Sequence, residues 1–131
     1  MLPARHGASM KYLRTASRGE HFRLLLELDR NLIDNPELWG IYDSHPLSQI
    51  KASDPLVQSK RNAFIYLHFN LFEMVHDFYH HVISRMDKID IMYWHEWYRY
   101  IYQFFRESSK ARIIFKSSIA GRYILKVFYP L

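Results

Sequence analysis

Apolar residues recur every three or four positions along most of the chain, which is the spacing of amphipathic α-helices. The first such run follows Ser17 and Glu20, which have the spacing of a helix-capping box. Together these features predict a first helix over residues 18–33. Its predicted core-facing residues are Phe22, Leu25, Leu32 and Ile33.

Turn-forming residues interrupt the chain after this helix. Asn35 followed by Pro36 has the order of a helix cap and a first-turn proline, which predicts a short helical turn that ends near Gly40. Residues 42–53 are rich in turn formers and have no periodicity, so we expect a connecting loop there.

The longest apolar pattern lies in the middle of the chain. Asp54 and Pro55 again have the order of a cap followed by a proline, and nothing breaks the pattern until about Asp87. These signals predict one helix over about residues 55–86. Its apolar residues form two adjoining stripes, so this helix must contact at least two neighbours, as the central helix of a bundle does.

The C-terminal part of the chain predicts further helices. Residues 90–107 have a clear 3.6-residue period, and a shorter segment that follows Ser108 or Ser109 continues through Phe115. A final helix is predicted over residues 121–129. No two segments have paired strand patterns, so we predict an all-α fold.

The length and composition agree with one compact domain. The chain has 131 residues, of which 49% are hydrophobic and 17% aromatic, enough to build a core without cross-links. We predict a single-domain bundle of four to five helices around the central one, formed by residues 18–131 and preceded by a flexible basic arm at residues 1–17. The absence of cysteine excludes disulfides, thiolate metal sites and a cysteine nucleophile.

Positive charge is concentrated at the two ends of the chain. The net charge is +5, yet residues 1–18 and 108–131 contain no acidic residue and the middle contains more acidic than basic ones. Such ends have the chemistry to bind nucleic acid or an anionic membrane surface, although charge that keeps the chain soluble is the favoured explanation. The candidate anion-binding residues are Arg5, Lys11, Arg14, Lys110, Arg112, Lys116, Arg122 and Lys126.

One stretch of the central helix has the residue types of a metal site. Glu73 and His76, and likewise Asp77 and His80, stand three positions apart, which is half of the pattern in dinuclear carboxylate bundles. A mononuclear site from two histidines and a carboxylate is the simpler alternative. Because three of these residues lie on the polar side of the helix, a solvated helix face is favoured and no cofactor is expected, with a transition metal as the alternative.

A histidine of the central helix falls in the middle of its apolar arc. A buried His68 needs a hydrogen-bond partner, and Asp29 lies within the apolar stripe of the first helix. The two side chains are therefore a candidate buried pair. A structural hydrogen bond is favoured over a catalytic base or a haem-type ligand.

Aromatic rings are densest between residues 93 and 105. Helical periodicity favours their packing in the core over the stacking of nucleic-acid bases or insertion at a membrane interface. Rings that a small bundle leaves uncovered become a surface for a protein partner. The candidate surface residues are Tyr93, Trp94, Trp97, Tyr100 and Phe104.

These features favour a small interaction or scaffolding protein that is not an enzyme and that self-associates or binds a protein partner. The alternatives are a helical protein that binds a metal or cofactor, and a binder of nucleic acid or anionic membranes through the basic ends. No run of apolar residues is long enough for a transmembrane segment, and there is no glycine-rich phosphate-binding loop. The sequence does not define the cellular compartment; the cytoplasm is favoured, and peripheral membrane association is the alternative.

Overall fold

The described part of the chain is entirely helical apart from its connecting loops. The computed structural model describes the backbone of residues 2–82 and 85–117 and the side chains of residues 15–82 and 85–117. Its α-helices are α1 (Leu2–Asp34), α2 (Pro55–Val82), α3 (Lys88–Glu107) and α4 (Ser109–Ser117). Two short 3-10 helices, Pro36–Ile41 and Pro46–Gln49, connect α1 to α2. The predicted all-α, single-domain bundle is confirmed, and the helix predicted over residues 121–129 lies outside the described residues.

Helix α1 begins much earlier than the sequence pattern predicts. Residues 2–17, predicted as an arm, have helical backbone that continues without a break into the rest of α1. The only proline before Pro36 is Pro3, which the first turn of a helix tolerates. The predicted start at residue 18 is therefore wrong, because a capping-box spacing in the middle of good helix-forming sequence does not end the helix that precedes it.

The connection between α1 and α2 contains more structure than predicted. Asn35 precedes the first 3-10 helix as expected, but its side chain donates to the carbonyl oxygen of Asn31 and caps nothing. The second 3-10 helix was not predicted, and His45 caps it by accepting from the backbone N–H of Leu47. Asp54 accepts from the N–H of Leu56 at the start of α2, as the sequence predicts.

Helix α2 supplies the largest part of the core. Its residues Ile65, Phe72 and Val75 are completely buried, and rings from α3 surround Phe72. Leu28 and Leu32 of α1 are buried in the same cluster. The predicted role of α2 as the central helix is therefore confirmed, although the helix ends at Val82 and not at residue 86.

The first turn of α3 is held by a buried carboxylate. Asp87 and Asp90 form a reciprocal capping box, in which each side chain accepts from the backbone N–H of the other. Asp90 also accepts from the guanidinium of Arg18 at 2.9 Å, and that guanidinium lies 5.2 Å from the centre of the Tyr93 ring. An ion pair and a cation–π contact thus attach α1 to the start of α3.

A buried arginine holds the connection between α1 and α2 in place. Arg61 of α2 is 2% exposed. Its guanidinium donates to the carbonyl oxygens of Glu37, Leu47 and Ile50, at 2.8, 3.2 and 2.9 Å. These three acceptors belong to the two 3-10 helices and the residue after them, so one side chain ties the whole connection to the bundle.

Candidate interaction surface

An apolar stripe on α1 lies at the surface of the bundle. Phe22, Leu26 and Ile33 are spaced four and seven positions apart, so they lie on one side of the helix. Leu26 and Ile33 are 66% and 76% exposed, and Phe22 is 39% exposed. The side of α1 that faces the core carries the buried Leu28 and Leu32. The helix therefore has one apolar face in the core and another in solvent, and we call Phe22, Leu26 and Ile33 the outer stripe.

The orientation of α1 agrees in part with the one that its sequence pattern predicts. Of the four residues predicted to face the core, Leu32 is buried and Leu25 packs against the core, whereas Phe22 and Ile33 belong to the outer stripe. The sequence contained one signal of this second face. Three consecutive leucines, residues 24–26, span about 200° around a helix, so they cannot all face the bundle.

Charged side chains of both signs border the outer stripe. Asp29 lies between Leu26 and Ile33 along the same side of α1, and Arg30 is exposed next to it. Arg23 is already paired, because its guanidinium donates to Glu20 at 2.9 Å and to Glu27 at 2.6 Å. The stripe is thus an apolar strip with a polar rim, which is the composition of many protein interfaces.

A shallow cleft extends the apolar surface from the outer stripe towards α3. It has a volume of about 170 Å³ and is lined by Phe22, Leu25, Glu96, Trp97 and Tyr100. The Phe22 ring packs against the rings of Tyr93 and Trp97, with centroid distances of 5.5 and 5.8 Å. These contacts join the N-terminal end of the outer stripe to the rings of α3.

The aromatic residues predicted as an interaction surface are mostly used inside the bundle. Trp97 and Phe104 are buried, and Tyr93, Trp94 and Tyr100 are half-buried. Burial raises the pKa of the Tyr100 hydroxyl, with the nearby Tyr42 and Asp29 adding to the shift. Core packing, which the helical periodicity favours for these rings, is observed for Trp97 and Phe104, so these two candidates are not available to a partner.

The predicted metal-ligating residues do not converge. His76 is buried and its Nδ1 lies 3.3 Å from the exposed carboxylate of Asp77, while its ring stacks on that of the exposed His80. Glu73 is exposed. Among the residues whose side chains the structure describes, no three histidine, aspartate or glutamate side chains are placed to share a metal ion.

The predicted partner of His68 is also not the observed one. His68 is buried, as expected, but its Nδ1–H donates to the carbonyl oxygen of Phe64 in the same helix at 2.9 Å. Its ring stacks on Phe104 with a centroid distance of 4.4 Å. Asp29 is exposed on α1, so the imidazole is satisfied within α2 without it.

The described candidate anion-binding residues are largely engaged elsewhere. Lys110 donates to the side chain of Gln58, and burial together with the neighbouring Arg61 lowers the pKa of its ammonium group. Arg112 donates to the carbonyl oxygens of Phe105 and Arg106 and so caps the end of α3. Lys116 is exposed. The side chains of Arg5, Lys11, Arg14, Arg122 and Lys126 lie outside the described residues.

The fold and this surface define an all-α protein whose helix α1 presents apolar side chains to solvent. Comparisons with protein-family models, with curated proteins and with solved structures find no match for the chain. None of the helices that the structure describes is both long enough and apolar enough to cross a membrane.

Proposed function

We propose that this chain is a non-enzymatic helical interaction protein that associates with a second copy of itself through the outer stripe of α1. The observation that supports this proposal is the high exposure of Leu26 and Ile33 on the same side of one helix. Single exposed apolar residues are common, but residues aligned on one helix face and bordered by charges are typical of a surface that another protein covers.

The charges beside the stripe favour a second copy of this chain as the partner. A two-fold symmetric interface uses the same patch on both subunits, so that patch must be complementary to itself. Asp29 and Arg30 are adjacent exposed charges of opposite sign. In a symmetric dimer, the Asp29 carboxylate of each subunit can pair with the Arg30 guanidinium of the other. A patch with charges of a single sign would instead repel its own copy.

Removal of the two most exposed residues of the stripe is expected to weaken the dimer. In a Leu26→Ser, Ile33→Ser double variant, we expect the dissociation constant to rise at least about tenfold, because two large apolar side chains per subunit no longer leave water on association. Sedimentation equilibrium over a concentration series measures this constant. Both side chains are exposed, so the helical circular dichroism of the variant should equal that of the unchanged protein.

A control double variant tests whether dimerisation depends on the outer stripe or on exposed apolar residues in general. Leu56 at the start of α2 and Ile113 of α4 are 64% and 69% exposed, and neither belongs to the stripe. A Leu56→Ser, Ile113→Ser double variant should dimerise like the unchanged protein. A monomeric mass at every concentration, or equal weakening in the two double variants, would contradict the proposal.

A further inference from the structure

A cleft at the junction of the two 3-10 helices and the end of α3 has the size of a small-molecule site. Its volume is about 370 Å³, within the range of about 300–1,000 Å³ that is usual for ligand pockets. The residues that line it are Trp39, Tyr42, Ser44, His45, Pro46 and Glu107. It is separate from the outer stripe of α1, with which it shares no residue.

Aromatic rings form the walls of this cleft. The rings of Trp39 and His45 are stacked, with a centroid distance of 5.1 Å and an interplanar angle of 18°. The Tyr42 ring lies 6.0 Å from Trp39 and packs edge-on against Phe104 of the core. Trp39 is 37% exposed, so part of its ring is open to solvent.

Backbone hydrogen bonds hold these walls in position. The Nδ1 atom of His45 accepts a hydrogen bond from the N–H of Leu47. This bond uses the lone pair of Nδ1 and holds the imidazole ring beside Trp39. The N–H of Asp43 donates to the carbonyl oxygen of Glu107 at 2.9 Å, so the loop is attached directly to the end of α3. The carboxylate of Asp43 accepts from the N–H and the hydroxyl of Ser109. A ligand would therefore meet a largely preformed site.

A carboxylate, that of Glu107, is among the groups that line the cleft. Burial raises the pKa of Tyr42 to about 12, and the negative charges of Glu107 and Asp29 add to this shift. Glu107 lines the cleft and accepts from the side-chain amide of Gln103, which orients its carboxylate. The guanidinium of Arg112 lies 4.0 Å from the carboxylate of Asp43, but it is also bound to carbonyl oxygens of α3. No lysine or arginine is among the residues that line the cleft.

We propose that this cleft binds an organic cation, an alkylammonium or guanidinium group, against the solvent-exposed part of the Trp39 ring that His45 leaves uncovered, next to Tyr42 and the carboxylate of Glu107. The negative face of an aromatic ring attracts a cation within about 6 Å of its centre. A carboxylate at the edge adds a full opposite charge. The cation belongs either to a free quaternary ammonium compound or to a basic side chain of a peptide, and both sources offer the same chemistry to the cleft.

A titration followed by nuclear magnetic resonance tests the proposal. The indole N–H signal of Trp39 and the backbone signal of His45 are monitored while choline, butylguanidinium or the neutral 3,3-dimethylbutan-1-ol is added. We expect saturable shifts with at least one cation and none with the alcohol, which has the shape of choline without its charge. Tighter binding of choline indicates a small quaternary ammonium ligand, and tighter binding of butylguanidinium indicates an arginine side chain.

Substitutions assign the binding to the individual residues. Glu107→Gln should weaken cation binding roughly threefold to thirtyfold, as expected for the loss of a charge beside an aromatic site. The main-chain carbonyl oxygen of residue 107, which accepts from the N–H of Asp43, is retained in this variant. Glu73→Gln, at an exposed glutamate of α2 that lines neither of the two clefts, is the matched control and should bind like the unchanged protein. Trp39→Phe should retain part of the affinity, and Trp39→Leu should lose it.

Several results would overturn the proposal. One is that neither cation shifts the two signals, and another is that the alcohol shifts them as strongly as choline does. Undiminished affinity in a folded Glu107→Gln protein would also exclude it. The outer-stripe variant Leu26→Ser, Ile33→Ser should bind the cation normally, so failure of the dimer proposal and failure of this one are distinguishable.

Discussion

Replacement of Arg61 by methionine is expected to lower the free energy of unfolding by about 4 kcal/mol, since three hydrogen bonds from a charged donor contribute roughly 1.5 kcal/mol each. Arg61 is almost completely buried and donates to three backbone carbonyl oxygens in the connection between α1 and α2. Without the guanidinium these oxygens lose a charged donor, although the Leu47 oxygen still accepts from the N–H of Ile50. A domain of this size has a total stability of about 5–15 kcal/mol, so the variant should be close to unfolding at moderate temperature.

Urea denaturation followed by circular dichroism measures this loss. The neighbouring Lys60 gives a matched control, because it is half-exposed and its ammonium group forms a long ion pair of 3.8 Å with the carboxylate of Glu37. Lys60→Met should change the free energy of unfolding by less than about 1 kcal/mol. Arg61→Lys should fall between the two, since one ammonium group lacks the planar fork that reaches three separate acceptors. An Arg61→Met protein as stable as Lys60→Met would show that the carbonyl oxygens do not need this donor.

The second large effect is expected from acid. Burial lowers the pKa of His68 from its ordinary value near 6.5 to about 4. Below pH 6.5 the unfolded chain therefore binds a proton at His68 that the native state does not, and stability falls as the pH falls. Between pH 6.5 and pH 4 we expect a loss of about 3 kcal/mol, because each pKa unit corresponds to about 1.4 kcal/mol. Burial also lowers the pKa of His21, which adds to the loss in the same direction.

A substitution at position 68 isolates this contribution. His68→Phe keeps an aromatic ring against Phe104 and removes the titrating group, so the free energy of unfolding should depend less steeply on pH between 6.5 and 4. His81→Gln, at an exposed histidine of the same helix, should retain the slope of the unchanged protein. The urea midpoint at a series of pH values gives both slopes. Equal slopes in the His68→Phe and unchanged proteins would rule out His68 as the source.

The helices could be predicted from the sequence where caps and prolines define their ends. Asp54 and Pro55 start α2 as expected, and the two apolar stripes of α2 indicate its central position correctly. The start of α1 was missed because nothing before Ser17 breaks a helix, and a capping-box spacing alone does not prove that one begins.

The sites were harder to predict than the helices, for two physical reasons. A helix with apolar residues on both sides can be rotated about its axis without a clear change in its pattern, so Asp29 was placed towards His68 although it faces solvent. The burial of Arg61 was not predicted, since charged residues are mostly exposed. Its position was nevertheless informative, since residues 57, 61, 64 and 68 have the spacing of one buried stripe and all four are buried.

The buried guanidinium of Arg61 also limits which substitutions the connection between α1 and α2 can accept during evolution. A Cβ atom at position 40 would overlap the buried guanidinium of Arg61. A larger residue at position 40 is therefore compatible with the present loop only after position 61 has accepted a shorter side chain, whereas the change at position 61 can come first at the cost of stability. Positions 40 and 61 should thus depend on each other during sequence drift, and related chains that lack the glycine should also lack the arginine.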